Sequence, residues 1–171
     1  MMKVIGAGIL VVSSSVLGFQ IARWYRDRPR QLRILMQALR VLKTEIEYHS
    51  TPLQQALEEV SARVERPVSR LFQSAAQALA EPGRSPEEAL ARGIAQTSAE
   101  SALRQEDVLV LRDFGRTLGT SDSEHQALHL NGALMQLEVL EREARQSQQQ
   151  HERLWQYIGV LTGLLIAVLL L

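Results

Sequence analysis

The chain has 171 residues, with 19 lysines and arginines balanced by 19 aspartates and glutamates, and no cysteine. Zero net charge argues against nucleic acid as a partner, and the missing thiol excludes disulfides, thiol chemistry and cysteine-held metals. Leu, Ala, Gln, Glu and Arg dominate the middle of the chain, and this is helix-forming material.

The first element is an apolar run, Val4–Ala22, without a single Asp, Glu, Lys or Arg. As a helix it spans roughly 28 Å, against about 30 Å for the hydrocarbon core of a bilayer. Residues 4–22 therefore read as a transmembrane helix. Only Lys3 precedes it, whereas Arg23, Arg26, Arg28, Arg30 and Arg33 follow, opposed by Asp27 alone. That asymmetry places the following domain in the cytoplasm. Trp24 and Tyr25 mark the interface, where amphipathic rings prefer to sit. A cleaved signal peptide is the alternative, but arginines directly after the candidate cleavage site resist export.

Residues 29–153 read as one cytoplasmic domain of successive helices. In the first, Leu32, Leu35, Leu39, Leu42, Ile46 and His49 step by three and four along one face. Thr51-Pro52 restarts the chain, with Thr51 as N-cap and Pro52 at the first helical position. Leu53, Leu57, Val60 and Val64 make the next face. Pro67 opens a third helix with Val68, Leu71, Phe72, Ala75 and Leu79 inward, closed by Glu81-Pro82-Gly83. Ser85-Pro86-Glu87-Glu88 has the form of a capping box, Ser85 accepting from the Glu88 amide and Glu88 reaching back. Leu90, Ile94 and Thr97 carry the face of that helix. A fifth starts near Arg104, with Val108, Leu111, Gly115 and Leu118 inward and Gly119 at its C-terminal turn. No proline follows Asp122, so a sixth helix can run on to Leu171, a length of roughly 75 Å. No alternating strand pattern competes.

The last element is a second apolar run, Trp155–Leu171, also free of Asp, Glu, Lys and Arg. It spans roughly 26 Å as a helix, so residues 155–171 read as a second transmembrane helix. Arg142, Arg145 and Arg153 precede it, and Trp155 and Tyr157 open it. Both chain termini are then expected on the side opposite the domain. The fold expected is all-α: an antiparallel bundle of about six helices flanked by two membrane helices. A buried core helix is the alternative for the second run.

Small residues recur every four positions in both runs: Ser14, Gly18 and Ala22, then Gly159, Gly163 and Ala167. Such stripes let helix backbones approach, joining the two spans or pairing copies of the protein; chance spacing is the alternative. The chain has no phosphate-binding loop, dinucleotide fingerprint or zinc-protease motif. Ser13, Ser14 and Ser15 lie inside the first run. Asp122, His125 and His129 share a helical face and would suit zinc, unless Asp122 merely caps the helix. Glu45, Glu47, Tyr48 and His49 form a weaker group at the edge of the core.

Taken in order, Arg28-Pro29-Arg30-Gln31-Leu32, Glu45-Ile46-x-Tyr48, Thr51-Pro52-Leu53 and Leu118-Gly119-x-x-Asp122-x-x-x-Gln126, between two apolar ends, make a specific series. In these features the whole chain resembles the stage III sporulation protein AB family of endospore-forming bacteria. The resemblance implies a place in the machinery joining mother cell and forespore, similar to specialised secretion systems. The domain would then look like the cytoplasmic domain of type II secretion platform proteins. It would be non-enzymatic, need no cofactor, sit in the mother-cell membrane around the forespore, and dock an ATPase, stage III sporulation protein AA. A membrane-anchored metal-binding or sensory domain is the competing expectation. For a platform the candidate contact surface is polar and at helix ends. Arg84, Glu87, Glu88 and Arg92 form one such region, and Asp122 and Glu124 a second.

Overall fold

The structure is a computed structural model and describes residues 2–48, 51–118 and 123–170. It leaves out the side chains of Tyr48, Ser123, Glu124 and most residues before Arg23 and after Gln150. Six helices and no strand are present among the described residues: α1 (Met2–Tyr48), α2 (Leu53–Arg63), α3 (Val68–Leu79), α4 (Pro86–Thr97), α5 (Gln105–Thr117) and α6 (Ser123–Leu170). This is the all-helical architecture that the periodicity demands.

The end helices are the long ones, 47 residues for α1 and 48 for α6. Pro29, in the Arg-Pro-Arg-Gln-Leu series, lies inside α1 and does not break it. An internal proline removes one ladder hydrogen bond and crowds the preceding turn, at a cost of about 3 kcal/mol. Arg28 and Pro29 are both buried, so packing around them stabilises the helix against that cost. Among the described residues, no helix is long and apolar enough to cross a membrane. The side chains of the small-residue stripes, Ser14, Gly18, Ala22, Gly159, Gly163 and Ala167, lie outside the described residues.

The chain divides into two compact units. One gathers the chain up to Pro29 with the chain from Glu143 onward, and so consists of helix segments from α1 and α6 alone. The other is Arg30–Arg142. In this second unit α2 packs on α3, α3 on α4 and α4 on α5. Its core is apolar and dense: Leu32, Leu35, Leu39, Leu42, Val60, Phe72, Leu111 and Leu137 are all 0% exposed.

The two end helices run antiparallel within Arg30–Arg142, and polar pairs mark the register. The Arg33 guanidinium meets the buried Glu141 carboxylate at 3.3 Å. Ten residues further along α1, the Lys43 ammonium donates to Asn131 Oδ1 at 3.0 Å, ten residues back along α6. Gln31 Oε1 accepts from the Ser101 hydroxyl at 3.1 Å and the Ala102 amide at 2.8 Å, which ties the α4–α5 connection to α1.

The inward faces read from sequence hold in their centres and loosen at their ends. Leu57, Val60, Val68, Leu71, Phe72, Ala75, Leu90, Ile94, Thr97, Leu111, Gly115 and Leu118 are buried. Ile46, Leu53, Val64, Leu79 and Val108 are only half-buried. In α5 the buried face is rotated toward Asp107, Val110 and Phe114. The cause is Asp107, 0% exposed, whose carboxylate accepts from the Arg104 amide at 2.7 Å and so pins the first turn inward. Thr51 is not the cap of α2. The helix starts at Leu53 with Pro52 in the cap position and no side-chain cap. The Thr51 hydroxyl donates instead to the buried Glu45 carboxylate at 3.1 Å, a stronger acceptor than Thr51 would be for an amide. His49 and Gly119 lie outside the described residues.

Two glycines are required by close packing. A Cβ on Gly93 would lie 2.4 Å from the Leu71 carbonyl oxygen of α3. A Cβ on Gly115 would lie 3.1 Å from Leu90 Cδ1 and 3.3 Å from Glu87 Cα of α4. Gly93→Ala is expected to destabilise the chain by about 1–3 kcal/mol, as overpacking does. Gly115→Ala should cost less, because Leu90 can yield and alanine gains about 1 kcal/mol of helix propensity. Thermal unfolding followed by circular dichroism measures both, and equal melting temperatures for wild type and Gly93→Ala would contradict the α3–α4 approach. Leu39→Asp or Leu111→Asp should unfold the bundle outright, since each buries an unpaired charge.

Candidate partner-binding surface

The α3–α4 turn is built by its own residues. Gly83 takes a positive φ of 76°, which an L side chain rarely adopts, so Glu81-Pro82-Gly83 can reverse the chain. The Arg84 amide then donates to the Glu81 carbonyl at 3.3 Å. The capping box forms as the sequence implies. The Glu88 amide donates to Ser85 Oγ at 3.2 Å, the Ser85 amide donates to Glu88 Oε2 at 3.3 Å, and Pro86 opens the helix.

Around this helix start the structure brings together Arg84, Glu87, Glu88 and Arg92, with two partners that sequence spacing does not single out. Glu81 is the hub: its carboxylate accepts from the guanidinium groups of both Arg84 and Arg92. Glu87 accepts from Arg116 Nε of α5 at 2.9 Å, and Arg116 also reaches Asp113 at 3.4 Å. These groups are only part-covered: Arg92 and Glu81 are 43% and 44% exposed, and Arg116 is 63% exposed. The hydrogen bond from Arg84, then that from Arg92, holds the Glu81 carboxyl below its ordinary value of 4.5. The bond to Glu87 raises Arg116 further above its already high value. The result is an alternating, solvent-facing set of charges on the α3–α4 turn and the adjoining face of α5. It presents several hydrogen-bond donors and acceptors to solvent.

The second region is less complete. Asp122 lies outside the described residues, as does the Glu124 side chain. His125 and His129 are exposed on α6. Among the described residues no group of three His, Asp or Glu side chains is gathered to hold a metal ion. His129 instead borders a shallow groove, between Val110, Phe114 and Thr117 of α5 and Gly132 and Gln136 of α6. Of the group at the end of α1, Glu45 is a structural acceptor, bonded to Thr51 and 3.7 Å from Arg63. Among the described residues no buried side-chain nitrogen or oxygen lacks a hydrogen-bond partner.

The family model for stage III sporulation protein AB matches residues 3–171. The chain belongs to the stage III sporulation protein AB family. It is 36% identical to stage III sporulation protein AB of Bacillus subtilis (strain 168), over 171 residues and the full length of both chains. A solved structure of stage III sporulation protein AB (SpoIIIAB) matches with a TM-score of 0.68 and 35% identity, covering 72% of this chain and 98% of that one. The relatives are thus named as sporulation proteins, and residues of the motifs noted above have structural roles in this chain. Gln31 of the Arg-Pro-Arg-Gln-Leu series ties down the α4–α5 connection, and Glu45 and Thr51 bond each other across the α1–α2 connection.

The Glu81 hub of this family member gives a pH prediction. Its folded-state pKa is depressed, so its contribution is fully present above the ordinary carboxylate value and is lost as pH falls through the folded value. Glu81→Gln should lower the melting temperature slightly at neutral pH. The difference from wild type should shrink as pH drops below about 4.5. A difference that stays constant down to strong acid would mean that the two arginines do not bias Glu81.

Proposed function

We propose that this chain is a non-enzymatic membrane platform of a sporulation-specific, secretion-like complex between mother cell and forespore. In this reading residues 4–22 and 155–171 are membrane helices. The domain between them faces the mother-cell cytoplasm and docks the ATPase, stage III sporulation protein AA. The observation that carries it is the continuity of α1 and α6. Each is a single helix that joins a charge-free apolar run to the buried core of Arg30–Arg142. In this reading the first and last helices of the domain are also its anchors. Family membership supports the same setting. The chain has no nucleotide motif of its own, so work must come from a bound partner.

The α3–α4 turn is the contact surface proposed for that partner. Exposed ion pairs are worth only about 0–1 kcal/mol each, so Glu81, Arg84, Glu87 and Arg92 can exchange internal partners for external ones at little cost. Two experiments test the reading. Reporter fusions at Leu171 and within Glu81–Arg84 should report opposite compartments; a shared compartment would remove the second span. In membranes, the combined variant Arg84→Glu, Glu87→Lys, Arg92→Glu, with the capping Glu88 kept, should bind the ATPase about tenfold or more weakly. Its melting temperature should stay close to that of wild type. Undiminished binding would remove this surface, and failure of the wild-type chain to bind at all would count against the platform itself.

A further inference from the structure

The stretch that follows the first apolar run holds five arginines and no lysine: Arg23, Arg26, Arg28, Arg30 and Arg33. Four of them, Arg23, Arg26, Arg30 and Arg33, are spaced by three, four and three along α1 and are exposed, whereas Arg28 is buried. The far pair serves the bundle. Arg30 bonds Glu65 at 2.7 Å, and Arg33 meets Glu141 at 3.3 Å. The near pair, of which Arg26 also makes an interaction within the chain, flanks Trp24, which is 69% exposed. An aromatic surface of that size costs free energy in water and is stabilised at a bilayer interface.

Helix rise sorts the two pairs by depth. Beyond Ala22, Arg23 and Arg26 lie within roughly 6 Å along the axis, and Arg30 and Arg33 at roughly 12 and 16 Å. The headgroup layer on each side of a bilayer is about 5–8 Å thick. For a helix near the membrane normal, only the near pair and Trp24 fit inside it. Residue type points the same way. A guanidinium presents a planar fork that takes two oxygens of a phosphate, and a lysine ammonium does not.

We propose that Arg23, Trp24 and Arg26 form a binding collar for the phosphodiester of anionic phospholipids. The two guanidinium forks take phosphate oxygens, and the indole ring lies at the glycerol level beneath them. The collar rests on the membrane reading of residues 4–22, and it adds a ligand class to it. The same fork chemistry would accept a free phosphate; the depth of the site and the neighbouring indole favour the lipid.

The test uses the full chain carrying Trp155→Phe, which leaves Trp24 as the only indole, reconstituted into phosphatidylcholine vesicles. Energy transfer from Trp24 to pyrene-labelled phosphatidylglycerol, compared with pyrene-labelled phosphatidylcholine, gives the lipid preference. Flotation after carbonate washing separately reports membrane insertion. The expected result is a clear preference for phosphatidylglycerol, reduced by up to about thirtyfold in Arg23→Gln/Arg26→Gln, as for two surface charges. Arg23→Lys/Arg26→Lys should lie between, and Arg30→Gln should match wild type. Chain that floats with the vesicles but shows no preference, or a preference untouched in the double glutamine variant, overturns the collar and leaves the membrane reading standing. A preference abolished by millimolar inorganic phosphate at constant ionic strength assigns the site to a free anion and overturns it too. Chain that fails to float overturns the membrane reading and the collar with it.

Discussion

One leucine face carries the Arg30–Arg142 unit. Leu32, Leu35, Leu39 and Leu42 of α1 are each 0% exposed. Burial of such a side chain stabilises by about 1.5–3 kcal/mol, so these four outweigh the polar contacts around them. The polar contacts settle where α1 lies. It is bonded to Thr51 before α2, to Glu65 before α3, to Ser101 and Ala102 before α5, and to Asn131 and Glu141 of α6. Every one of these partners is distant in sequence or sits in a connection. Apolar burial supplies the energy, and edge hydrogen bonds select one arrangement among the many that would bury the same leucines.

The same division explains what sequence could and could not reveal. The leucine face is legible because a helix repeats every 3.6 residues, and the pattern survives without knowledge of its neighbours. The capping box at Ser85 is legible because both of its bonds close within four residues. Thr51 was open to misreading because its true acceptor, Glu45, belongs to the preceding helix and competes with the amides of α2. In α5 the apolar spacing alone favours Val108, but a buried Asp107 rotates the face, and a buried acid is what a hydrophobic pattern cannot foresee. The Glu81 hub was half legible. Arg84 lies three residues on in the same turn, whereas Arg92 comes from α4 beyond it. The Glu87–Arg116 pair exists only because α4 and α5 pack, with Gly115 allowing their approach. The two apolar, charge-free runs are legible from composition alone.

The glycines and the long helices set opposite requirements within one chain. Gly93 and Gly115 bring the backbones of α3, α4 and α5 so close that a methyl group must displace something. The short helices therefore form a block with little freedom to repack. α1 and α6 have the reverse property: each is far longer than the core it helps to form. Most of their length serves something other than the stability of Arg30–Arg142. Helices of nearly 50 residues, apolar and uncharged toward their outer ends, are hard to explain as the edge of a small bundle.

The acidic residues then sort by what they can be asked to do. Glu45, Asp107 and Glu141 are buried and hydrogen-bonded or ion-paired within the bundle. Removing the partner of any of them strands a charge, which is expensive, so they are fixed parts of the fold. Glu88 is exposed, yet its carboxylate closes the N-terminus of α4, and so it too is committed. Glu81 and Glu87 differ from all four. Both are part-exposed and held only by arginines that are themselves 34–63% exposed. Their bonds are individually weak and screened by salt. They can be broken without opening the core, which releases Arg84 and Arg92 and leaves Arg116 held by Asp113. A partner that presents carboxylates could therefore take three guanidinium groups in exchange for three internal acids, Glu81, Glu87 and Asp113, at a site fixed in space by a capping box and a close-packed glycine. That combination, exchangeable charge on an inflexible mount, is what singles out the α3–α4 turn from the other polar helix ends of this bundle.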